Sequence, residues 1–178
     1  MNSLGRHWRS YPYSFQSVAA RAKSQRLVSL AFSNVHVKPI IDGGYLSSEA
    51  DLTTLREGIK LGRKLGRSSE WGEYLGEEVF PGSAVQTDEE IDEYIKNSIH
   101  AANALTGTCK MGVGSDAVVG PDLCVRGVDG VRVCDSSVIP TIPGGQTGTP
   151  TVMVAERAAA MILDTTLAPQ SGFVDEHC

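Results

Sequence analysis

The stretch Pro143-Gly-Gly-Gln-Thr-Gly-Thr-Pro150 is a glycine-rich loop, and it runs directly into the apolar pattern Thr151-Val-Met-Val-Ala-Glu-Arg-Ala-Ala-Ala-Met-Ile162. We predict a helix here with Thr149 as its N-cap and Pro150 at its first position, where a missing N–H costs nothing. Its predicted apolar face consists of Met153, Val154, Ala158, Met161 and Ile162. Glycines let a backbone approach a flat ligand closely, and a helix N-terminus offers unpaired N–H groups and partial positive charge. The stretch therefore favours an electron-rich or anionic ligand.

Two other interpretations of this loop stay open. A phosphate-binding loop is the first, but the Lys-Ser/Thr ending of such a loop is missing. A plain turn between a strand and a surface helix is the second, and it binds nothing. The pattern of this loop alone does not choose between a ligand site and a turn.

Two further helices are predicted upstream. Thr87 is expected to cap the nearer one, with Glu90 at the capping-box position, and its buried face is made of Ile91, Tyr94, Ile95 and Ile99. Ser48, with Asp51 three residues on, is a similar start for the other helix. Its apolar stripe is Leu52, Leu55, Ile59 and Leu65. Glycines 58, 62 and 66 weaken that helix, so we expect it to depend on tertiary packing.

Short extended segments complete the pattern. Residues 15–20, 27–32 and 35–41 are predicted antiparallel strands. Residues 123–126 and 131–134 flank the turn Gly127-Val-Asp-Gly130, which predicts a hairpin. The resulting fold class is α+β.

Composition excludes several functions. The net charge of −5 and the isoelectric point near 5.3 argue against a nucleic-acid footprint. No apolar run is long enough for a transmembrane segment. The four histidines and four cysteines lack metal-ligand spacing, so no metal is predicted. Residues 1–41 contain no Asp or Glu, which is compatible with a transit peptide or with folded substrate-domain sequence.

Three segments resemble the C-terminal signature of the glucose–methanol–choline (GMC) oxidoreductase family. They are Gly107-Thr-Cys-Lys-Met-Gly112, Val125-Arg-Gly-Val-Asp-Gly-Val-Arg-Val-Cys-Asp-Ser-Ser-Val-Ile-Pro140, and Pro150 to Ile162. The resemblance runs from about Gln16 to Leu163. It implies FAD as the cofactor, with the last helix directing its positive end at the pyrimidine edge of the flavin. It also implies a set of cofactor-binding residues: Ala104, Asp135, Ser136, Gln146, Thr147 and Gly148.

The usual catalytic base of that family is missing. Ordinary members oxidise alcohols with a histidine near the flavin and a second His or Asn opposite. By the resemblance these positions hold Ala104 and Gln146. Neither side chain is a base at neutral pH. Alcohol oxidation by the usual route is therefore not expected.

This departure resembles one branch of the family, the fatty acid photodecarboxylases of algae. The residues that carry the likeness include His100-x-x-Asn103-Ala104, Pro143 to Gly148, Glu73-Tyr-Leu and Phe80-Pro-Gly-Ser83. In that branch, light-excited FAD takes an electron from a fatty acid carboxylate, carbon dioxide leaves, and a hydrocarbon forms. The resemblance implies that Gln16 contacts the substrate carboxylate. The alternative is that Gln16 is an ordinary strand residue without a role in binding.

The same branch implies roles for two residues near the flavin. Asn103 is expected to hydrogen-bond carbon dioxide, bicarbonate or water. His100 is expected to tune that network or only to cap a helix C-terminus. Long-chain fatty acids as substrate and a chloroplast location are implied by the branch alone.

The domain organisation expected from the resemblance has three parts. Residues 1–99 form part of a substrate-binding domain, residues 100–165 hold the active-site loop and a segment returning to the FAD domain, and residues 166–178 are a loose tail. No G-x-G-x-x-G fingerprint follows a strand anywhere in the chain, so we expect FAD binding to need a further N-terminal FAD domain. An alcohol or choline-type dehydrogenase and a non-catalytic interaction module are the alternatives to the photodecarboxylase.

Overall fold

The structure is a computed structural model that describes residues 14–25, 27–34, 36–72 and 76–165. These residues form two compact units, the first ending at Ala102 and the second beginning at Asn103. The predicted tail at 166–178 and the Glu73-Tyr-Leu75 motif lie outside the described residues. The predicted boundary between residues 99 and 100 stays a prediction.

The first unit contains a small antiparallel ribbon and three helices. Strand β1 is Val28–Ser29 and β2 is Ile40–Ile41, with Val28 opposite Ile41. The helices are α1 (Glu49–Gly66), α2 (Ser69–Gly72) and α3 (Asp88–Ser98). The predicted strands over 27–32 and 35–41 are therefore much shorter than expected, because only two residues of each find a ladder partner. The predicted strand over 15–20 is wrong, and residues 15 and 17 contact α1 instead.

Helix α3 forms as its sequence predicts. The Thr87 hydroxyl accepts the Glu90 amide at 3.2 Å and the Glu90 carboxylate accepts the Thr87 amide at 2.9 Å, which confirms the capping box. Ile91 and Ile95 are buried. The side of α3 that meets α1 adds an ion pair between Arg56 and Asp92 at 2.8 Å.

The start of α1 differs from the prediction. Ser48 occupies the N-cap position but makes no side-chain cap. The Asp51 carboxylate instead accepts the backbone N–H groups of Lys23 and Ser24, each at 2.8 Å. Burial raises the pKa of Asp51, but hydrogen bonds from Ser24 and from the two amides outweigh it, so the pKa lies below its ordinary value. Asp51 thus anchors a distant segment instead of capping its own helix.

The second unit is built on one apolar cluster. Val119, Leu123, Val138 and Ala158 are its buried members. Val138 belongs to a 3₁₀ turn, Ser136–Val138, and Ala158 to helix α4, Gly148–Ile162. The cluster therefore joins three parts of the unit that are separated in sequence: the segment from Val119 to Leu123, the 3₁₀ turn and helix α4.

The predicted hairpin is confirmed, because residues 123–126 and 131–134 pair with each other through backbone hydrogen bonds. The Val125 amide donates to the Val131 carbonyl at 2.9 Å, and the Val133 amide donates to the Leu123 carbonyl at 3.1 Å. The pairing consists of isolated bridges and does not extend into continuous strands.

Helix α4 starts earlier than predicted. It begins at Gly148 with Thr147 as the N-cap residue, and no side chain caps it. The predicted cap at Thr149 is wrong because the backbone of Thr147 is already helical, so Thr149 lies inside the first turn. The predicted apolar face is only partly buried, since Met153 and Ile162 are exposed. Within the described ranges, no helix has the length and apolar character needed to cross a membrane.

We predict that Asp51→Ala destabilises the chain by about 1–3 kcal/mol, because the amides of Lys23 and Ser24 lose a buried acceptor. Urea denaturation followed by circular dichroism measures this loss. Glu49→Ala is the matched control, since it removes the same charge from the same helical turn at an exposed position. Equal losses from both variants would contradict the anchoring role.

The Asp51 contribution should also depend on pH. Its pKa is lowered in the folded chain, so its stabilisation is complete above the unfolded pKa of about 3.9 and is lost as pH falls through the folded value. The stability difference between the wild type and Asp51→Ala should therefore be constant near neutral pH and shrink below about pH 4. A difference that grows on acidification would contradict the assignment.

Candidate functional site

The loop at residues 107–112 is joined to the 3₁₀ turn by two backbone hydrogen bonds. The Cys109 amide donates to the Ser137 carbonyl at 3.0 Å, and the Met111 amide donates to the Val138 carbonyl at 2.8 Å. Gly107 has a φ of 86°, and a Cβ there would lie 3.4 Å from the Ile139 carbonyl oxygen. This loop needs glycine at that position, since the left-handed conformation disfavours side chains.

Asp135 organises the start of the 3₁₀ turn. Its Oδ1 accepts the Ser137 amide at 2.8 Å and the Ser137 hydroxyl at 2.5 Å. These hydrogen bonds hold the pKa of Asp135 below its ordinary value, because they favour the ionised form. Asp135 is therefore a fixed anion at the beginning of the predicted cofactor segment. Ser136 is the next residue and begins the 3₁₀ turn.

The N-terminus of α4 offers free donors beside open space. The side chain of the N-cap residue Thr147 makes no capping hydrogen bond, and Pro150 has no N–H to offer in the first turn. A Cβ built at Gly145 or Gly148 meets no atom within 4 Å in the part of the chain that the structure describes. Gln146 is exposed, whereas Thr147 is buried and its carbonyl accepts the Thr151 amide at 3.0 Å.

This geometry fits the edge of a flat, electron-rich ring. The uncapped amides and the dipole of α4 favour partial negative charge. The glycines leave room for a ring to approach the backbone. The residues present are therefore compatible with a flavin edge at Gly145 to Gly148.

Asn103 and Ala104 open the second unit. Asn103 has a φ of 55°, a left-handed conformation that asparagine tolerates better than most residues. Its side chain is exposed and Ala104 is half-buried. The pairing of Ala104 with Gln146 across a flavin stays a prediction.

The other two candidate residues belong to the first unit. Gln16 is exposed and lies in an irregular segment. His100 is also exposed, and its Nδ1 lies 3.3 Å from the carbonyl oxygen of Ser98, the last residue of α3. This contact matches the helix-capping alternative for His100. Seven candidates thus share the second unit, namely Asn103, Ala104, Asp135, Ser136, Gln146, Thr147 and Gly148.

Sequence reasoning missed Arg126. Its guanidinium donates to the carbonyls of Gly114 at 2.6 Å and Gly112 at 2.7 Å, so it fixes the end of the 107–112 loop. Both bonds reach back at least 12 positions in sequence, and a lone arginine beside a hairpin carries no local signal of them. Within the described ranges, no group of three or more His, Cys, Asp or Glu residues is placed to hold a metal ion.

The chain is similar to a known protein family and to two characterised enzymes. Residues 23–155 match the family model of the GMC oxidoreductases. The chain is 44% identical over 172 residues to a chloroplastic fatty acid photodecarboxylase from Chlamydomonas reinhardtii, covering 93% of this chain and 28% of the relative. It is 41% identical over 148 residues to an oxygen-dependent choline dehydrogenase from Brucella melitensis, covering 82% of this chain and 27% of that enzyme.

Solved structures with a similar fold include two oxidases. Pyridoxine 4-oxidase from Mesorbium loti superposes with a TM-score of 0.76 at 26% identity, covering 83% of this chain and 29% of that one. A formate oxidase from Aspergillus oryzae, studied for its FAD modification, superposes with a TM-score of 0.72 at 27% identity, covering 77% of this chain and 24% of that one. The chain spans between about a quarter and three tenths of the length of these relatives.

The family match covers three quarters of the chain, and its three motifs lie on one folded unit around the helix that begins at Gly148. On these grounds the chain belongs to the GMC oxidoreductase family.

Proposed function

We propose that this chain forms the substrate-side and flavin-edge part of an FAD enzyme that decarboxylates long-chain fatty acids in light. The observation that carries the proposal is the 44% identity to the algal photodecarboxylase over nearly the whole chain, together with Ala104 and Gln146 where a base would be needed. When bound, FAD would absorb the light and accept the electron from the substrate carboxylate. The residues of this chain have only to bind and orient.

The α4 N-terminus supplies the electrostatic part of that task. Its uncapped amides at Gly148 and Thr149 favour negative charge on the ring edge they face. Asp135 and the 107–112 loop fix the 3₁₀ turn, and Val138 of that turn shares the buried cluster with Ala158 of α4. Preorganised donors of this kind stabilise charge without moving when it develops.

Amide side chains supply the polar contacts to the substrate. Gln16 donates an N–H to the fatty acid carboxylate without adding a charge. Asn103 donates to carbon dioxide, bicarbonate or water, and its left-handed backbone fixes the direction in which its amide leaves the chain. His100 acts on this network only indirectly, since its Nδ1 already faces the carbonyl of Ser98.

A choline-type dehydrogenase is the second candidate. The 41% identity to the Brucella enzyme favours it. Alcohol oxidation needs a group that removes the hydroxyl proton, and neither Ala104 nor Gln146 has a basic atom. The photodecarboxylase proposal needs no such group, and for this reason we prefer it.

The proposal also requires a separate FAD domain, because the chain matches 28% of the algal relative. A chloroplast location is proposed from the algal relative alone.

We predict that the 178 residues alone do not retain FAD. The chain offers the flavin-edge donors of α4 but no dinucleotide fingerprint for the pyrophosphate. Gel filtration of the chain with excess FAD, followed by a visible spectrum, tests this expectation. Protein that elutes with bound yellow flavin would contradict it.

We predict that a chimera decarboxylates palmitate in blue light. In this chimera the chain replaces the matching 172-residue region of the Chlamydomonas enzyme, which supplies the FAD domain. Bound flavin absorbance verifies assembly, and carbon dioxide release is compared in light and in darkness. A chimera that holds FAD but releases no carbon dioxide in light overturns the proposed reaction. One that fails to hold FAD overturns the proposed flavin edge.

We predict that Gly148→Leu in this chimera lowers FAD affinity about tenfold or more, because overfilling a packed site costs about 1–3 kcal/mol. Flavin retention on dialysis measures the loss. The matched control is Ala159→Leu, which adds a similar side chain at an exposed position three turns along the same helix. Equal retention by both variants would show that Gly148 does not face the flavin.

A further inference from the structure

Helix α1 carries two glycines that face an extended segment of the chain. A Cβ at Gly58 would collide with the Ser17 hydroxyl and lie 2.8 Å from the Ser17 Cβ. A Cβ at Gly62 would lie 3.2 Å from the Phe15 Cβ. Each glycine makes the helix less stable than alanine would at the same position. In return, the segment approaches the helix closely: a side chain at Gly58 would require the segment to shift, and one at Gly62 would make a tight contact.

The segment follows α1 in the antiparallel direction over several turns. The Ser17 hydroxyl donates to the Leu55 carbonyl at 3.3 Å. Further along, the amides of Lys23 and Ser24 donate to Asp51, and the Ser24 hydroxyl accepts the Ser48 amide at 3.1 Å. Later residues of the segment therefore contact earlier residues of the helix, in regular order. The partners run through Gly62, Gly58, Leu55, Asp51 and Ser48.

The spacing of the first two contacts fixes the conformation of the segment. Gly58 and Gly62 lie four residues apart on one face of the helix, a rise of about 6 Å. Two residues of extended chain span about 6.6 Å, so Phe15 and Ser17 match the glycines only when the segment is extended. In an extended chain, alternate side chains point to opposite sides. Gln16 therefore points away from α1, in agreement with its exposure.

We propose that Gly58 and Gly62 are positioning residues that hold the Gln16 amide in the direction required to meet the substrate carboxylate. The inference rests on the proposed function, because it takes Gln16 as a carboxylate contact. Gly58 and Gly62 would thus contribute to substrate binding although neither has a functional side chain. Their effect acts through the register of the segment and not through contact with the substrate.

The test uses the palmitate-decarboxylating chimera and separates KM from kcat. Gly58→Ala should raise KM for palmitate about tenfold, because Gln16 loses a hydrogen bond to a charged group, while the flavin spectrum stays unchanged. The reciprocal swap, Gly58→Ala with Ser17→Gly, removes the hydroxymethyl group that the new methyl group would strike, and it should restore KM to within about threefold. Gly76→Ala is the control, since a Cβ there meets no described atom within 4 Å.

A double variant locates the effect on Gln16. Gln16→Ala should raise KM as much as Gly58→Ala, and combining the two should add little further, since both remove one contact. Full additivity, or a Gly58→Ala variant with wild-type KM in an active chimera, overturns the positioning role alone. An unsubstituted chimera that assembles with FAD but leaves palmitate intact overturns the proposed function, and with it the substrate role of Gln16.

Discussion

Two backbone hydrogen bonds hold the candidate site together, from Cys109 to Ser137 and from Met111 to Val138. They tie the loop that follows Asn103 and Ala104 to the 3₁₀ turn that follows Asp135. Because Val138 is fully buried against Ala158 of α4, the same contact fixes that loop relative to the α4 helix. Family motifs far apart in sequence are thereby held on one small core.

The candidate residues of this unit combine neutral side chains and a helix dipole with one fixed anion, Asp135. The flavin-edge loop combines glycines with an uncapped helix start, and Gln146 contributes an amide that cannot take up a proton near neutral pH. The low pKa of Asp135 follows from the two hydrogen bonds it accepts, so its carboxylate is occupied in holding the turn. We propose that such a site stabilises negative charge on a bound ring, and neither Ala104 nor Gln146 carries a basic atom.

Local patterns predicted α1 and α3 well, since apolar periodicity and the Thr87–Glu90 capping box depend on neighbours a few positions away. They failed where the partner is distant. Asp51 has the spacing of a cap but binds amides 27 and 28 positions earlier. The β-like stretch at residues 15–20 predicts a strand, but residues 15 and 17 lie against the glycines of a helix instead.

The candidate site was predictable only through family resemblance. Glycine loops before helices are common, and only the ordered set of motifs singled out this one. No local sequence signal links Gln16 or His100 to the second unit. The hydrogen bonds from Arg126 to the carbonyls of Gly112 and Gly114 have no local signal either. The proposed absence of a base, in contrast, rests on the residues at 104 and 146 and on the family resemblance that assigns them to the flavin site.

The central claim is that the flavin edge formed by this chain has no proton acceptor for an alcohol. The most direct measurement mixes the FAD-loaded chimera with choline in darkness and without oxygen, and follows the visible absorbance of the flavin. The account predicts an unchanged spectrum, because a hydroxyl that keeps its proton does not reduce the flavin. Bleaching at a rate that rises with choline concentration would contradict it.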